Sequence, residues 1–397
     1  MREPTVHTPP NIVISAGELS GDEHAAKVIQ ALRAIVPDLS VRGMGGRNLG
    51  AAGVTLDVDA EKSAAVMGFA ELFGSLGKVL GALRTMKKLV RETKPDLLIT
   101  VDFAEFNMHL ASAAQRAGVP VLNYISPQVW AWRRYRVKSI ARAIDQAAVI
   151  FPFEREFFEA NGYHKSVYVG HPFADEWSDT PPSRSAVLGG LGLDPAKPTL
   201  AVLPGSRQSE VSRNLTTMRA ALELLQTRHP GVQAVVVVAP TIDAAAVAAE
   251  VGAPPWLRVT QGNAIEIMRV ADAGLLKSGT SNLQGAFCAL PFAMFYRASP
   301  LSAFIVRRCV DLAEYSIVNV LRPGTVTEIL QEKATPEYTA NVLEALLFNE
   351  EYRRELKEHL GEVRARLRSY DNRPEFAGTR NAPERVARLA AELLRRG

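Results

Sequence analysis

Short runs that are apolar on both faces alternate with amphipathic stretches along this chain, and the pattern occurs twice. In the first half the runs are Asn11–Ser15, Ser40–Gly43, Asp96–Val101, Pro120–Tyr124 and Ala147–Phe151. In the second half they are Thr199–Leu203, Ala234–Ala239, Trp256–Thr260, Ala273–Leu276 and Phe292–Phe295. A strand without a polar face needs a covering layer on each side, which is the situation of parallel sheets flanked by helices. Stretches such as His24–Val36 and Met108–Gly118 have the spacing of those helices. The expectation is an α/β chain of two doubly wound domains. With 397 residues, both domains have room for a full core.

The boundary is marked by breakers. Ser178–Ser185 is polar and Pro-rich, and Asp194–Pro198 interrupts the chain again. The sequence therefore divides into residues 1–177, a linker 178–197, a second domain 198–334 and a helical tail 335–397. The tail is rich in Glu, Arg, Leu and Ala, and is expected to pack back on the first domain or on a partner subunit. Charge does not imply nucleic acid, since 46 Lys and Arg oppose 42 Asp and Glu, a net of +4. Two stretches are locally basic, Arg84–Lys94 and Trp130–Arg142. Each is either a solvated helix face or a surface for an anionic membrane. Neither of the two cysteines has metal or disulfide spacing, and no apolar run is long enough to span a bilayer. A cytoplasmic protein is expected, without metal or cofactor.

Five constellations carry chemistry, the first of them a pair of turns. Leu203–Asn214, LPGSRQSEVSRN, follows an apolar strand and opens a helix. Backbone N–H groups at a helix start, with an arginine beside them, suit a phosphate or diphosphate. Gly205, Ser206 and Arg207 are the candidates. A second such turn, Lys277–Asn282, offers Lys277, Ser278, Gly279 and Thr280, with Gln284 one turn further on for a ribose hydroxyl. Ala16–Asp22, AGELSGD, is either a ligand-binding turn using Glu18, Ser20 and Asp22, or a plain capped strand–helix turn. In Val101–Asn107, VDFAEFN, Asp102 is either a general base or a helix cap, with Glu105 and Asn107 beside it. Tyr124–Arg133 places Ser126, Trp130, Trp132 and Arg133 together. Two Trp at i, i+2 cannot share one helix face, so one of them is expected to meet a ligand or partner. His171, in Val169–Pro172, is either a substrate contact or part of a hinge.

In this order the segments resemble the lipid-A-disaccharide synthase family. The motifs are AGELSGD (16–22), AVMGFAEL (65–72), VDFAEFN (101–107), YISPQVWAWRRYRV (124–137), FPFE (151–154), VGHPFAD (169–175), LPGSRQSEV (203–211) and SGTSNLQ (278–284). The resemblance implies a GT-B fold, two Rossmann-like domains facing a cleft, with UDP held by the second. It implies metal-independent, inverting transfer from UDP-2,3-diacylglucosamine to 2,3-diacylglucosamine 1-phosphate at the inner face of the inner membrane. The product is a tetraacyl disaccharide 1-phosphate. Asp102 matches the base, with Glu18 as a second catalytic carboxylate. Arg207 and the two turns match the leaving-group site. Ser20, Asp22, Asn107, Ser126, Trp130, Trp132, Arg133 and His171 fall on the acceptor side.

Against the family pattern, Gln284 stands where Glu is usual, Lys277 where a small residue is usual, and Glu105 where Asp is usual. Ser316-Ile-Val-Asn319 replaces S-L-P-N. Rival readings are another UDP-sugar enzyme of the same fold, a glycolipid transferase or epimerase, and an inert precursor-binding homologue. The expected partners are the donor, the acylated acceptor and the membrane surface, with the oligomeric state, a homodimer included, left open.

Overall fold

The computed structural model describes residues 9–61, 72–132, 134–175, 177–252, 254–298 and 314–396. It divides into two units: Met1–Glu176 with Leu367–Gly397, and Trp177–Arg366. Residues 65–71 of the AVMGFAEL motif and Arg133 lie outside the described residues, as does the side chain of Trp132.

The first unit holds seven parallel strands: β1 Asn11–Ala16, β2 Ser40–Gly45, β3 Thr55–Asp59, β4 Leu97–Val101, β5 Val121–Tyr124, β6 Gln146–Val149 and β7 Ser166–Tyr168. Their order is β3-β2-β1-β4-β5-β6-β7, so the winding direction reverses between β1 and β4. Each residue of β4 is buried, as the absence of a polar face requires. On one face, Leu83, Met86 and Val90 of the helix Leu72–Thr93 join Phe106, Leu110 and Ala114 of the helix Ala104–Arg116 over Val13 and Leu98. The helix Leu19–Ile35 buries Ala25, Val28, Ile29 and Leu32, the spacing of a single helix face. Each fully buried aliphatic side chain in such a face contributes about 1.5–3 kcal/mol.

That helix packs against the C-terminal helix Ala382–Arg396, whose Ala387, Ala390 and Ala391 permit close approach. Arg385 is buried there: Nε donates to Val169 O at 2.6 Å, and the guanidinium lies 3.9 Å from the Tyr370 ring centroid. The tail thus divides at Leu367. The helix Pro336–Phe348 packs on Gln208–Arg228 in the second unit, whereas residues from Leu367 onward build the first.

The second unit has six parallel strands: β8 Thr199–Leu203, β9 Gln233–Val238, β10 Leu257–Gln261, β11 Ala273–Lys277, β12 Phe292–Tyr296 and β13 Glu328–Leu330. Their order is β10-β9-β8-β11-β12-β13, with the reversal between β8 and β11. Residues 178–197, expected as a linker, belong to this unit and contain the helix Arg184–Gly190. Arg184 anchors it, donating to Pro195 O at 2.8 Å and to Asp272 Oδ2 at 2.8 Å. A Pro-rich sequence marks a break in regular structure, and here the break is internal to a packed layer.

Candidate functional site

Ligands of doubly wound sheets bind beyond the carboxyl ends of the strands where the order reverses. In both units the sequence motifs fall at that point. β1 and β4 end in register, Ala16 opposite Val101, so AGELSGD and VDFAEFN start side by side. β8 and β11 end with Leu203 opposite Leu276, which sets PGSR beside KSGT.

In the second unit the two turns border a cavity of about 1190 Å³. Among its lining residues are Gly205, Ser206, Arg207, Lys277, Ser278, Gly279, Thr280 and Gln284. Every nucleotide-binding candidate therefore opens on one space. Asn263, Glu266 and Arg269, from the turn after β10 and the helix Ala264–Val270, also line it. Gly262-Asn263, both at positive φ, was the sequence signal for that third turn and was missed.

The charged groups are arranged differently from expectation. Lys277 Nζ lies 2.9 Å from Glu210 Oε1, and Arg207 Nη1 lies 3.6 Å from the same oxygen. Ser206 N–H donates to Glu210 Oε2 at 3.2 Å. Burial alone would raise the Glu210 carboxyl. The hydrogen bond and charge of Lys277, the Ser206 N–H and the Arg207 charge overcome it, so the group sits below its ordinary value. Gly205 has φ +146, and a Cβ there would come 2.7 Å from Glu210 Cβ, so only glycine fits beneath that side chain. Ser278 N–H is also used, by Phe295 O at 3.1 Å. The Gly279 and Thr280 N–H groups open the helix Thr280–Phe287, and helix-start N–H groups lack intrahelical partners. Asn319 is buried, bridging Val326 and Glu328. Glu328 also accepts from Tyr315 N–H and Ser316 N–H. Neither glutamate stood out in the sequence.

In the first unit Asp102 is half-buried at the end of β4. Burial raises its carboxyl above the ordinary value, against the opposing Phe103 N–H and the His24 charge. Asp102 and Phe103 both have φ +50, a conformation that costs non-glycine residues about 1–3 kcal/mol each. Asn107 holds the bend: Nδ2 donates to Asp102 O at 2.7 Å, and Oδ1 accepts from Ser15 Oγ at 2.7 Å. Asn107 is 3 % exposed and so supports the turn instead of lining an open surface.

Other acceptor-side candidates are likewise reassigned. Asp22 is 2 % exposed and accepts from Gly46 N–H (2.6 Å) and Asn48 N–H (2.9 Å), capping the helix Arg47–Ala51. Its oxygens are spent on backbone. Ser20 does not cap the helix Leu19–Ile35, because the N-cap is Glu18; both side chains are exposed. Gly17 does not open toward a ligand, since a Cβ there would collide with the Phe103 ring. Ser126 is buried and donates to Asn123 Oδ1 at 2.8 Å. Glu105 pairs bidentately with Arg136, Nη2 to Oε2 at 2.8 Å, which accounts for the longer acid at that position.

Trp130 turns inward. Its Nε1 donates to Glu154 Oε1 at 3.2 Å, and its ring meets Phe153 edge-on at 4.9 Å. Glu154 is fully buried. Despite the Phe151, Ile150 and Trp130 N–H groups, burial lifts its carboxyl to about 7. His171 is pushed down to about 4 by burial and then by the charge of His24. Its Nδ1 accepts from Phe173 N–H at 3.2 Å, so the neutral ring carries its proton on Nε2.

Among the described residues, no group of three or more His, Cys, Asp or Glu is placed to hold a metal. No helix among them is long and apolar enough to cross a membrane.

Two doubly wound parallel sheets with these turns define a protein of the GT-B fold class. Solved structures agree on the fold. The kitacinnamycin glycotransferase aligns over 98 % of this chain and 100 % of its own, at TM-score 0.62 and 16 % identity. The Staphylococcus aureus MnaA–UDP co-structure aligns over 89 % and 91 %, at TM-score 0.60 and 11 % identity. The family model described as lipid-A-disaccharide synthetase, LpxB, matches residues 12–376. The lipid-A-disaccharide synthase of Anaeromyxobacter dehalogenans is 38 % identical over 97 % of both chains. That of Coxiella burnetii is 34 % identical over 90 % of this chain and 94 % of its own. The chain belongs to the lipid-A-disaccharide synthase family.

Proposed function

We propose that this protein is a glycosyltransferase of lipid A synthesis, joining UDP-2,3-diacylglucosamine to 2,3-diacylglucosamine 1-phosphate with inversion at the anomeric carbon. The carrying observation is that one chain holds an anion-cradling cavity and a desolvated carboxylate, each at the switch point of its own sheet. The two parts suit the two halves of the reaction. Asp102 takes the proton from the acceptor hydroxyl as that oxygen forms a bond to the anomeric carbon. The bond from that carbon to the diphosphate breaks, and UDP leaves into the turns after β8 and β11. A carboxylate raised by burial is a stronger base than one in water, provided it is ionised. Arg207 and the helix start at Thr280 meet the negative charge of the leaving diphosphate. Gln284, which lines the same cavity, serves the ribose in this reading.

Glu18, Ser20 and His171 remain on the acceptor side of this reading, with Trp132 and Arg133. Asp22, Asn107, Ser126 and Trp130 shape the first unit from within. The acceptor is an amphiphile, and the first unit offers matching surface. Leu80 on the helix Leu72–Thr93 and Tyr135 beside Arg134 are exposed large apolar groups on basic segments. We read them as a docking surface for an anionic bilayer.

The test is incubation with both acylated substrates, followed by mass spectrometry. A tetraacyl disaccharide monophosphate and stoichiometric UDP are expected. Hydrolysis of the donor without transfer, or no reaction beside intact UDP binding, would overturn the assignment.

A further inference from the structure

Lys277 does not face the cavity as an unopposed charge. It is engaged by Glu210, and Glu210 is engaged by the turn across from it. A continuous path can be followed. Ser206 N–H and Arg207, on the turn after β8, reach the two oxygens of Glu210. Glu210 Oε1 reaches Lys277, on the turn after β11. The Lys277 carbonyl accepts from Ser281 Oγ at 2.7 Å and Asn282 Nδ2 at 3.1 Å. Asn282 Oδ1 accepts from Ser316 Oγ at 3.1 Å. The side chains of Glu210 and Lys277 are 13 % and 20 % exposed, so the pair is shielded from the screening that weakens surface ion pairs.

We propose that Lys277 and Glu210 are positioning residues, a brace that fixes the spacing of the two phosphate-facing turns, with Lys277 acting on the diphosphate through Glu210 and not by touching it. This rests on the nucleotide reading of the cavity. It accounts for a lysine where the family pattern has a small residue: Glu210 takes up the added positive charge and gains a second anchor. It also accounts for Gly205, the one residue that lets Glu210 lie flat across the first turn. Two turns held at fixed spacing present Arg207 and the Gly279–Thr280 N–H groups to a diphosphate without reorganisation on binding, which favours affinity.

The experiment is UDP titration by calorimetry, with donor kinetics and a thermal melt, on the wild type, Lys277→Met, Glu210→Gln, the double variant and Lys277→Arg. The amide introduced by Glu210→Gln keeps an acceptor for Ser206 N–H and loses the charge. Each single variant is expected to weaken UDP by about 5- to 20-fold, within the usual coupling range for residues in direct contact. The double variant should be no weaker than the worse single. Lys277→Arg should return to within about threefold of wild type, since both cations pair with carboxylates. The loss should fall on the donor KM more than on kcat, which a general loss of fold would not produce. Tighter UDP binding by Glu210→Gln would overturn the brace and make Glu210 a competitor of the diphosphate. Weakening by Lys277→Met alone would mean that Lys277 contacts phosphate directly. Unchanged affinity in both singles would also sink it. A wild type that binds no UDP would overturn the nucleotide reading itself, a different result from wild-type binding with unaffected variants.

Discussion

Glu210 and Asp102 are both carboxylates at a sheet switch point, and the two units treat them in opposite ways. In the second unit the acid is surrounded by cations and a backbone N–H, and is held ionised below its ordinary value. In the first unit Asp102 has little compensation beyond the Phe103 N–H and the His24 charge, and burial raises it. Glu154, deeper in the same unit, goes further, to about 7. The fold repeats but the electrostatics do not. One edge holds its carboxylate ionised, and the other raises its carboxyl by burial.

The hardest test of that contrast is Asp102→Asn. It should lower kcat by about 10²–10⁴-fold, the usual scale for removal of a general base. UDP affinity should be unaltered, because the nucleotide turns belong to the other unit. Since Asp102 is raised by burial and must be ionised to act, the acid limb of wild-type activity should lie at a higher pH than an unperturbed aspartate would give. A wild-type rate for the Asn variant would remove Asp102 from the reaction.

Arg207→Ala comes next. Loss of a charge-assisted phosphate contact is worth about 1.5–3 kcal/mol, or about 10- to 150-fold in UDP affinity. Calorimetry decides it, and an unchanged dissociation constant would return PGSR to a structural role.

Glu154 sharpens the comparison through stability. A carboxyl raised in the folded state favours folding below its unfolded value of 4.5. That contribution is lost as pH rises through about 7. Relative to Glu154→Gln, wild-type stability should therefore decline across this window, by at most about 1.4 kcal/mol per pH unit. Parallel urea midpoints of the two proteins from pH 4.5 to 8 would contradict the burial argument.

The smallest effect is expected at Gln284. Restoring a carboxylate with Gln284→Glu should raise the preference for UDP over 2′-deoxy-UDP by about 2- to 10-fold, the worth of one improved hydrogen bond. Equal changes for both nucleotides would place residue 284 away from the ribose.

The same contrast shows what was legible in the sequence. The strands at the switch points, β1, β4, β8 and β11, are continuous apolar runs ending in Gly- or Asp-bearing turns, so both ends of the argument could be located. β3, β7 and β13 were missed. They are edge or near-edge strands of three to five residues, and Thr55–Asp59 alternates acids with apolar side chains. Site roles were legible by position but not by partner. Asp22 and Asn107 have the composition of ligand contacts, yet Asp22 is spent on the Gly46 and Asn48 N–H groups and Asn107 on Asp102 O and the distant Ser15 hydroxyl, which no local pattern discloses. Lys277 read as a free cation for the same reason: Glu210 is 67 positions away in sequence and adjacent in space. Trp130 read as an acceptor-side candidate beside Trp132, and its indole instead serves a buried acid.

The buried Arg385 and the helix that carries it have a consequence for synthesis. The amino-terminal sheet leaves the ribosome first, but the helix Leu19–Ile35, which packs on β1, β4 and Arg47–Ala51, gains its cover from Ala382–Arg396 only after the whole of Trp177–Arg366 has been made. The second unit is continuous, while the first waits for Leu367–Gly397 and for the helix that packs on Leu19–Ile35. The earlier-translated unit is thus the later one to finish, and the nascent chain carries exposed apolar surface throughout, the condition under which aggregation competes with folding. Released chains truncated after residue 370 should accordingly resist protease in the second unit and be cut in the first, a reversal of the order in which the two are made.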